Sequence, residues 1–353
     1  MGLPKITITF TAAAEAVSRR AGQGTVALIL RDAAAQGVHE IGAADDIPAA
    51  LGAENKAYIA QALIGNVNRP GKVIACVVAV AAGIVDALAI LALYDFDWLA
   101  GPPDLSAEDA AAVKSWVRTQ RDDYNRIYKA VLPNLVADDE AVVNFTAADI
   151  AVGEAEYATA GYCARIAGLI AGTPLSQSVT YAVLEEVSDV ERLSKAALDA
   201  AVEAGKLVLV HDSTKVKVGR GVTSLTTVAG KSKQLQKIKL VETLDLIQRD
   251  LRMLTQDNYI GKMANSYDNK VVLMSAYMAY FKELEAEGVL QAGRSRVEID
   301  IAAQRQYLKD RGDNVLGMTD MQIKTADTDE HVFTKGSIRM LDAIEDVDLD
   351  IDF

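Results

Sequence analysis

The chain has 353 residues, of which 50% are hydrophobic and 24% are charged, and its formal net charge at pH 7 is −13. A chain of this length and apolar content can bury more than one hydrophobic core, so we expect a globular protein of two or three domains. The acidic balance argues against nucleic acid as a general partner, because contacts with phosphates need a basic surface.

The chain opens with a pattern typical of a β-strand. Apolar and polar residues alternate over residues 6–10, which places Ile6, Ile8 and Phe10 on one face. A strand at a chain end has no hairpin partner next to it in sequence. Its backbone N–H and C=O groups must therefore pair with a distant segment of the same chain or with another molecule.

Residues 25–150 alternate between strand and helix patterns, which predicts an α/β domain. The predicted strands cover 25–30, 73–80 and 126–132, and the predicted helices cover 54–64, 82–93 and 106–123. Ser106 has the position of a helix N-cap. The apolar stretch 73–93 is long enough to cross a membrane, but its β-branched start and its alanine-rich end favour a buried strand followed by a helix.

From about Tyr157 the pattern changes, and longer helices alternate with short strands. Helices are predicted over 157–171, 189–204, 235–257 and 270–287. Strands are predicted over 206–211, 215–218, 222–228, 296–301, 314–325 and 332–341. The fold class expected for the whole chain is therefore α/β, with mixed α+β character.

The last seven residues, 347–353, alternate apolar and acidic side chains without interruption. A strand here would carry an apolar face and an acidic face. The apolar face would consist of Val347, Leu349, Ile351 and Phe353. Carboxylates on the other face would discourage random pairing of an exposed strand edge. A terminal strand that completes the sheet of its own domain is the alternative.

Charge is segregated along the second half of the chain. Residues 342–353 contain six acidic residues and no basic one, whereas residues 213–241 contain seven basic residues and no acidic one. Opposite charge blocks suit self-assembly, although such runs are also found on solvated faces. The basic block has no aromatic residue, so it does not resemble a platform for stacking nucleic-acid bases.

No pattern of catalytic or metal-binding residues stands out. The three histidines, His39, His211 and His331, lack a second ligand at metal-binding spacing, and Cys76 and Cys163 lie in apolar surroundings. A phosphate loop and a nucleophile elbow are both missing. We therefore expect no catalytic residue, metal or cofactor, and an α/β enzyme without a readable motif is an alternative.

Two segments that lie close together in the sequence resemble the hallmark region of contractile phage tail sheath proteins. Residues 219–227 read GRGVTSLTT and residues 237–247 read KIKLVETLDLI. In that family a GVNSLTT-like strand leads into a K-x-R-V-V-x-x-x-D-x-I helix, so Thr223 stands for the usual Asn and Lys239 for a frequent Arg. Further segments agree with the family and extend the resemblance over nearly the whole chain: 2–10, 96–102, 164–172 and 342–349.

The resemblance implies a two-domain sheath subunit with extended N- and C-terminal strand arms. Its divisions would be an N-terminal arm at 1–22, an outer α/β domain at 23–155, an inner domain near the tail tube at 156–341 and a C-terminal arm at 342–353. Such subunits stack as hexameric rings around an inner tube. They contract to drive the tube through a target cell envelope, and their arms add strands to the sheets of neighbouring subunits.

By analogy with the arms of that family, seven residues are expected to form the apolar faces of strands that link subunits: Ile6, Ile8, Phe10, Val347, Leu349, Ile351 and Phe353. The expected receiving edge is the strand at 332–341, next to 296–301 or 314–325. A tube-facing or inter-subunit basic patch is expected at Lys231, Lys233, Lys237 and Lys239, although an ordinary solvated face explains these lysines equally well.

The implied partners are further copies of this chain, the inner tail tube protein, and the baseplate and tail terminator proteins, with no membrane and no nucleic acid among them. The chain would be made in the cytoplasm of a bacterial host and end in a virion or a phage-tail-like bacteriocin. The alternative in the same class is another self-assembling tube or capsid component, which would form particles of a different shape.

Overall fold

A computed structural model describes residues 24–230 and 232–351. The described chain divides into two compact units. Residues 24–242 and 343–351 form one, which we call the sheet unit, and residues 243–342 form the other, which we call the helical unit. The chain thus leaves the sheet unit after Glu242 and returns to it at Ala343.

The strands of the sheet unit, in chain order, are β1 (Thr25–Arg31), β2 (Gly37–Ile41), β3 (Lys72–Val78), β4 (Trp98–Ala100), β5 (Lys129–Pro133), β6 (Val142–Phe145), β7 (Ile150–Val152), β8 (Ala155–Tyr157), β9 (Lys206–Leu207), β10 (Leu209–His211) and β11 (Val216–Val218). Seven of them form one sheet in the order β2-β3-β1-β4-β5-β6-β9. All neighbours in this sheet are parallel except β2, which runs antiparallel to β3.

Helices cover both faces of this sheet, which explains why its central strands are apolar on both sides. Buried residues of α1 (Ala53–Ile64) and α4 (Cys163–Ala171) form one core with Val26, Leu28 and Leu30. Buried residues of α2 (Ile84–Leu91) and α3 (Ala107–Asp122) form the other core with Ala27 and Ile29. A further helix, α5 (Lys195–Glu203), precedes β9.

Gly168 in α4 and Gly172 directly after it allow close packing against α1 and the loop that follows α1. A Cβ atom at Gly168 would lie 2.0 Å from the carbonyl oxygen of Ala62, and one at Gly172 would lie 2.1 Å from that of Asn68. Real Cβ atoms do not approach other atoms this closely. Gly168 therefore sets the distance between the two helices on this face, and Gly172 allows the loop after α1 to approach.

The helical unit begins within α6 (Ile238–Asn258), which starts in the sheet unit. It continues with α7 (Tyr267–Ala286), β12 (Arg296–Ile299), α8 (Ile301–Arg311), α9 (Asp320–Thr325) and β13 (Thr334–Ser337). β12 and β13 pair antiparallel as a two-stranded sheet. Apolar residues of α7, including Leu273, Tyr277 and Phe281, are buried.

Several predicted elements differ from the structure for local reasons. The strand prediction over 314–325 is wrong, because Thr319 and Gln322 form a capping box that begins α9. The predicted strand at 222–228 is reduced to a single bridge between Val222 and Lys237. Asp300 caps α8 and so ends the strand predicted over 296–301.

The domain boundary expected between residues 155 and 156 does not coincide with the division into units. Helix α4 lies beyond that boundary and covers one face of the seven-stranded sheet. Strand β9 lies beyond it as well and pairs with β6 at the edge of the same sheet. The sheet needs both elements to bury its apolar surface, so it draws on residues from both predicted domains.

Candidate functional site

A buried carboxylate lies close to the point where the chain returns to the sheet unit. The side chain of Glu345 is only 5% exposed. Its Oε1 accepts hydrogen bonds from the hydroxyls of Thr180 at 2.6 Å and Ser178 at 3.2 Å. Its Oε2 accepts from Arg220 Nε and Lys237 Nζ, both at 3.0 Å. We call these four donor residues the Glu345 socket.

The sequence GRG at 219–221 builds one wall of the socket. Arg220 follows β11 and directs its guanidinium at Glu345. The backbone N–H of Gly221 donates to Thr180 Oγ1 at 2.9 Å. A Cβ atom at Gly221 would lie 2.7 Å from Val179 Cγ2, so a larger residue there would displace the loop that carries Ser178 and Thr180.

The hydrogen bonds of the socket keep Glu345 ionised. Burial alone raises the pKa of Glu345, but hydrogen bonds from Thr180, Lys237 and Arg220 outweigh this effect and hold the pKa below its ordinary value. Arg220 also donates to the exposed carboxylate of Asp346, and this bond is the main cause that raises the pKa of Arg220. The socket therefore holds a charged carboxylate between two cations at neutral pH.

The two opposite charge blocks of the sequence meet inside one chain. Arg220 and Lys237 come from the basic block, and Glu345 and Asp346 come from the acidic one. For these four residues the complementary charges form contacts within the sheet unit. The expectation that the blocks serve contacts between subunits stays a prediction, and these four residues have partners within the chain.

Beyond the socket, the C-terminal segment exposes its apolar side chains. Val347 is 76% exposed, Leu349 78% and Ile351 69%. In the described part of the chain, residues 347–351 belong to no strand. The other residues predicted for the arm strands, Ile6, Ile8, Phe10 and Phe353, lie outside the described residues. A run of apolar side chains without cover is typical of a surface that binds a partner.

The predicted basic patch does not form one exposed surface. Lys237 is occupied in the socket, and Lys239 is buried with its Nζ 3.4 Å from the carbonyl oxygen of Ser176. Lys233 is exposed, whereas Lys231 lies outside the described residues. Lys237 and Lys239 flank Ile238, which belongs to the core of the sheet unit, and the chain here is therefore held against that unit.

The hallmark segment 222–227 is held beside β6 by its own side chains. Ser224 N–H donates to Val142 O at 2.7 Å, and Ser224 Oγ donates to Asp139 O at 2.9 Å. Asp138 Oδ1 accepts from the N–H groups of Thr226 and Thr227 at 2.7 and 2.8 Å, and these bonds lower the pKa of Asp138. The motif residues thus have a structural role inside the subunit.

A buried lysine that sequence reasoning missed lies on β5. Lys129 is almost fully buried, its Nζ lies 2.9 Å from Glu242 Oε1, and it also lies 5.4 Å from the ring centre of Trp98. Glu242 is the last residue of the sheet unit before the chain leaves it. A lysine inside the apolar run of β5 was the available signal, because a lysine is seldom fully buried without a partner.

The groups that could support chemistry are dispersed. Within residues 24–230 and 232–351, no cluster of three or more His, Cys, Asp or Glu side chains could hold a metal ion. Both cysteines are buried, and burial raises the pKa of Cys76 to about 11 and raises that of Cys163 as well. Such thiols are poor nucleophiles at neutral pH. None of the helices described by the structure has the length and apolar character that a membrane span requires.

Comparison with known proteins identifies the family. The family model for the phage tail sheath protein central domain matches residues 78–224, and that for the phage tail sheath C-terminal domain matches residues 230–353. The tail sheath protein of Clostridium phage phiCD119 is 37% identical over 354 residues, which cover 99% of this chain and 98% of that protein.

Solved structures share the fold at low sequence identity. The sheath tail protein of Listeria innocua has a TM-score of 0.70 and 16% identity, covering 82% of this chain and 92% of that one. The helical sheath of the anti-feeding prophage in its contracted state has a TM-score of 0.69 and 14% identity, and the match covers 100% of this chain and 99% of that one. The chain is a structural component of a phage or phage-like tail, not an enzyme, and belongs to the phage tail sheath protein family.

Proposed function

We propose that this chain is the repeating subunit of a contractile sheath, which stacks as hexameric rings around an inner tail tube and shortens to drive the tube through a cell envelope. Family membership supports the sheath role. The observation that carries the assembly mechanism is the exposed apolar face of residues 347–351, which follows directly on an anchored Glu345. A neighbouring subunit would cover this face by accepting the segment as an added strand.

The energetics of such an arm favour a cooperative mesh. Covering Val347, Leu349 and Ile351 contributes about 1.5–3 kcal/mol for each side chain. Ordering the backbone costs about 1–2 kcal/mol per residue, so the two terms nearly cancel for one short strand. Backbone hydrogen bonds and a second arm then decide whether subunits associate. We therefore propose that the N-terminal segment with Ile6, Ile8 and Phe10 acts together with the C-terminal one.

The receiving edge that we propose is the two-stranded sheet of the helical unit. β12 and β13 pair with each other and with no other strand of the described residues. Lys335 on β13 is exposed and lies 3.1 Å from the exposed Glu298 of β12. Arg296 on β12 is exposed as well, and it is the basic group that would complement the acidic face of the arm. Of the edge candidates expected from the sequence, 332–341 and 296–301 keep this role. The segment 314–325 loses it because it contains α9.

Further partners follow from the same proposal. A structural neighbour is the baseplate of the anti-feeding prophage, with a TM-score of 0.68, and we propose that this chain also meets a baseplate, a tail terminator and an inner tube protein. For the tube contact, Lys233 is the predicted lysine that the structure leaves exposed. The tube-proximal part of the subunit that we propose is the inner domain expected at residues 156–341, which includes the receiving edge.

Negative-stain electron microscopy with light scattering on the same sample tests the proposal. The full chain is expected to form rings or hollow striated tubes, whereas a chain that ends at Asp346 is expected to stay a folded monomer. Long tubes from the shortened chain would rule out the C-terminal arm as a link between subunits. Closed shells from the full chain would favour a capsid-like component.

A further inference from the structure

We propose that Glu345 is the positioning residue that roots the C-terminal arm on the sheet unit, so that the arm can leave the subunit only from Asp346 onward. This inference rests on the proposed function in that it treats the C-terminal segment as an arm. The attachment of Glu345 to the sheet unit is a property of the single chain. The resemblance of segment 342–349 to sheath proteins implies an arm but no role for Glu345.

The attachment depends on one side chain. Among residues 344–351, Glu345 is the only one that is not exposed. Its neighbours Ile344 and Asp346 are 89% and 83% exposed at the residue and side-chain level, respectively. Removing the Glu345 carboxylate would therefore leave this segment without a buried contact to hold it.

The socket is built for a carboxylate at this one position. Two hydroxyls converge on Oε1 and two cations on Oε2, so both oxygens are hydrogen-bonded. Hydrogen bonds to a charged group are stronger than neutral ones, and a buried charge left without its partner is costly. The exposed ion pair between Asp346 and Arg220 contributes little by comparison, because solvent screens it.

The socket lies where the chain leaves the sheet unit and where it returns to it. Lys237 lies just before α6, which carries the chain out of the sheet unit after Glu242. Glu345 lies just after Ala343, where the chain returns. The pair of Lys237 and Glu345 therefore holds both passages of the chain at one place on the sheet unit. A pull on the arm would act on the ion pair between the partly exposed Lys237 and the buried Glu345 carboxylate.

A spin label next to the root measures the attachment directly. Val347→Cys in the full chain accepts a nitroxide selectively, since Cys76 and Cys163 are buried. At concentrations below assembly, the label should show restricted motion when Glu345 is present and fast, nearly isotropic motion with Glu345→Gln. Asp346→Asn is the matched control and should keep the restricted spectrum. Equal spectra for Glu345→Gln and the unchanged background would overturn the proposal.

The partner side of the contact gives a second test. Lys237→Met should loosen the label in the same direction as Glu345→Gln but less, since Arg220, Thr180 and Ser178 still hold the carboxylate. The double variant should add little to Glu345→Gln, because Lys237 contacts the segment through Glu345. Circular dichroism at 222 nm should stay unchanged in all variants, which separates loss of the root from unfolding. Independent, additive effects of the two changes would contradict a shared anchor.

Assembly separates this proposal from the proposed function. Glu345→Gln should raise the protein concentration at half-maximal assembly about ten-fold, the order expected for one charge-assisted hydrogen bond. A chain that ends at Asp346 should not assemble at all. If the shortened chain assembles while the label still loosens with Glu345→Gln, the arm function fails and the root stands. If the shortened chain fails to assemble and Glu345→Gln behaves as the full chain in both assays, the root is wrong.

Discussion

The ammonium group of Lys129 lies 2.9 Å from the carboxylate of Glu242 at the point where the chain leaves the sheet unit. Lys129 is on β5 inside the sheet, and Glu242 is in the first part of α6. The contact therefore connects the sheet to the start of the helix that enters the helical unit. Its contribution can be measured by removing either partner.

Lys129→Ala should lower the free energy of unfolding by about 3–5 kcal/mol, the range observed when one member of a buried ion pair is removed. The double variant Lys129→Ala with Glu242→Gln should cost less than the sum of the two single changes, since the double variant leaves no lone charge. Urea unfolding followed by circular dichroism gives both values. Additive losses would show that the two residues do not interact.

Gly168→Ala tests the close approach of α4 to α1. A Cβ atom there would lie 2.0 Å from Ala62 O, so the helices must separate, and the expected loss of stability is at least about 1–3 kcal/mol. Gly161→Ala is the matched control, because its nearest neighbour would lie at an ordinary 3.8 Å. Thermal unfolding followed by circular dichroism gives the melting temperature of each variant, and that of Gly168→Ala should be the lower. Similar melting temperatures for the two would exclude close packing as the reason for Gly168.

Acid sensitivity should depend on Glu186, which accepts hydrogen bonds from Arg165 Nε at 2.6 Å and Tyr162 OH at 2.7 Å. Burial raises the pKa of Glu186, but Arg165 and Tyr162 outweigh it and lower the pKa below the ordinary value of 4.5. The folded state thus binds this proton less readily than the unfolded state. The stabilisation is complete above about pH 5 and is lost as the pH falls through 4.5 and below.

The variant Glu186→Gln should accordingly be less stable than the unchanged chain at pH 7, and the difference should shrink as the pH falls toward 3. The neighbouring Glu185 is exposed, so Glu185→Gln serves as the control for the substitution itself and should change the stability at pH 7 little. Urea unfolding at several pH values provides the curves. A stability difference that is constant from pH 7 to 3 would show that Glu186 does not titrate differently in the folded state.

The two faces of the C-terminal segment should respond differently to substitution. Leu349→Lys combined with Ile351→Lys should block assembly, because the apolar face would then carry charges into the acceptor sheet. Asp348→Asn lies on the other face and should leave assembly intact. Sedimentation measures the assembled fraction of each variant. If the two variants behaved alike, the assignment of the faces would have to be abandoned.

The sheet of the sheet unit was largely predictable from sequence because its strands are buried on both faces. Runs such as 25–30 and 73–80 are rich in β-branched residues and follow the boundaries of β1 and β3 closely. The cap at Ser106 predicted the start of α3, and its hydroxyl does accept from Asp109 N–H. In such elements local propensity and burial agree.

The socket could not be predicted, because its residues are far apart in sequence and each has an ordinary local context. Glu345 is the only glutamate in an acidic segment of aspartates, but its residue type alone does not indicate that it is buried. Only the folded chain brings it to Arg220 and Lys237. Lys129 differs in that its place in an apolar run indicates burial, but its partner Glu242 follows more than a hundred residues later and could not be identified from the sequence. Sequence patterns within a window of a few residues do not identify contacts between residues that are far apart in the chain.

The central claim, that residues 347–353 add a strand to another subunit, is tested most directly by a cryo-electron microscopy reconstruction of tubes formed by the full chain. We predict that this segment leaves its own subunit after Glu345 and pairs with β12 or β13 of a neighbour, with Val347, Leu349 and Ile351 facing the neighbour's core. A segment that folds back on its own subunit, in tubes that are otherwise complete, would contradict the account.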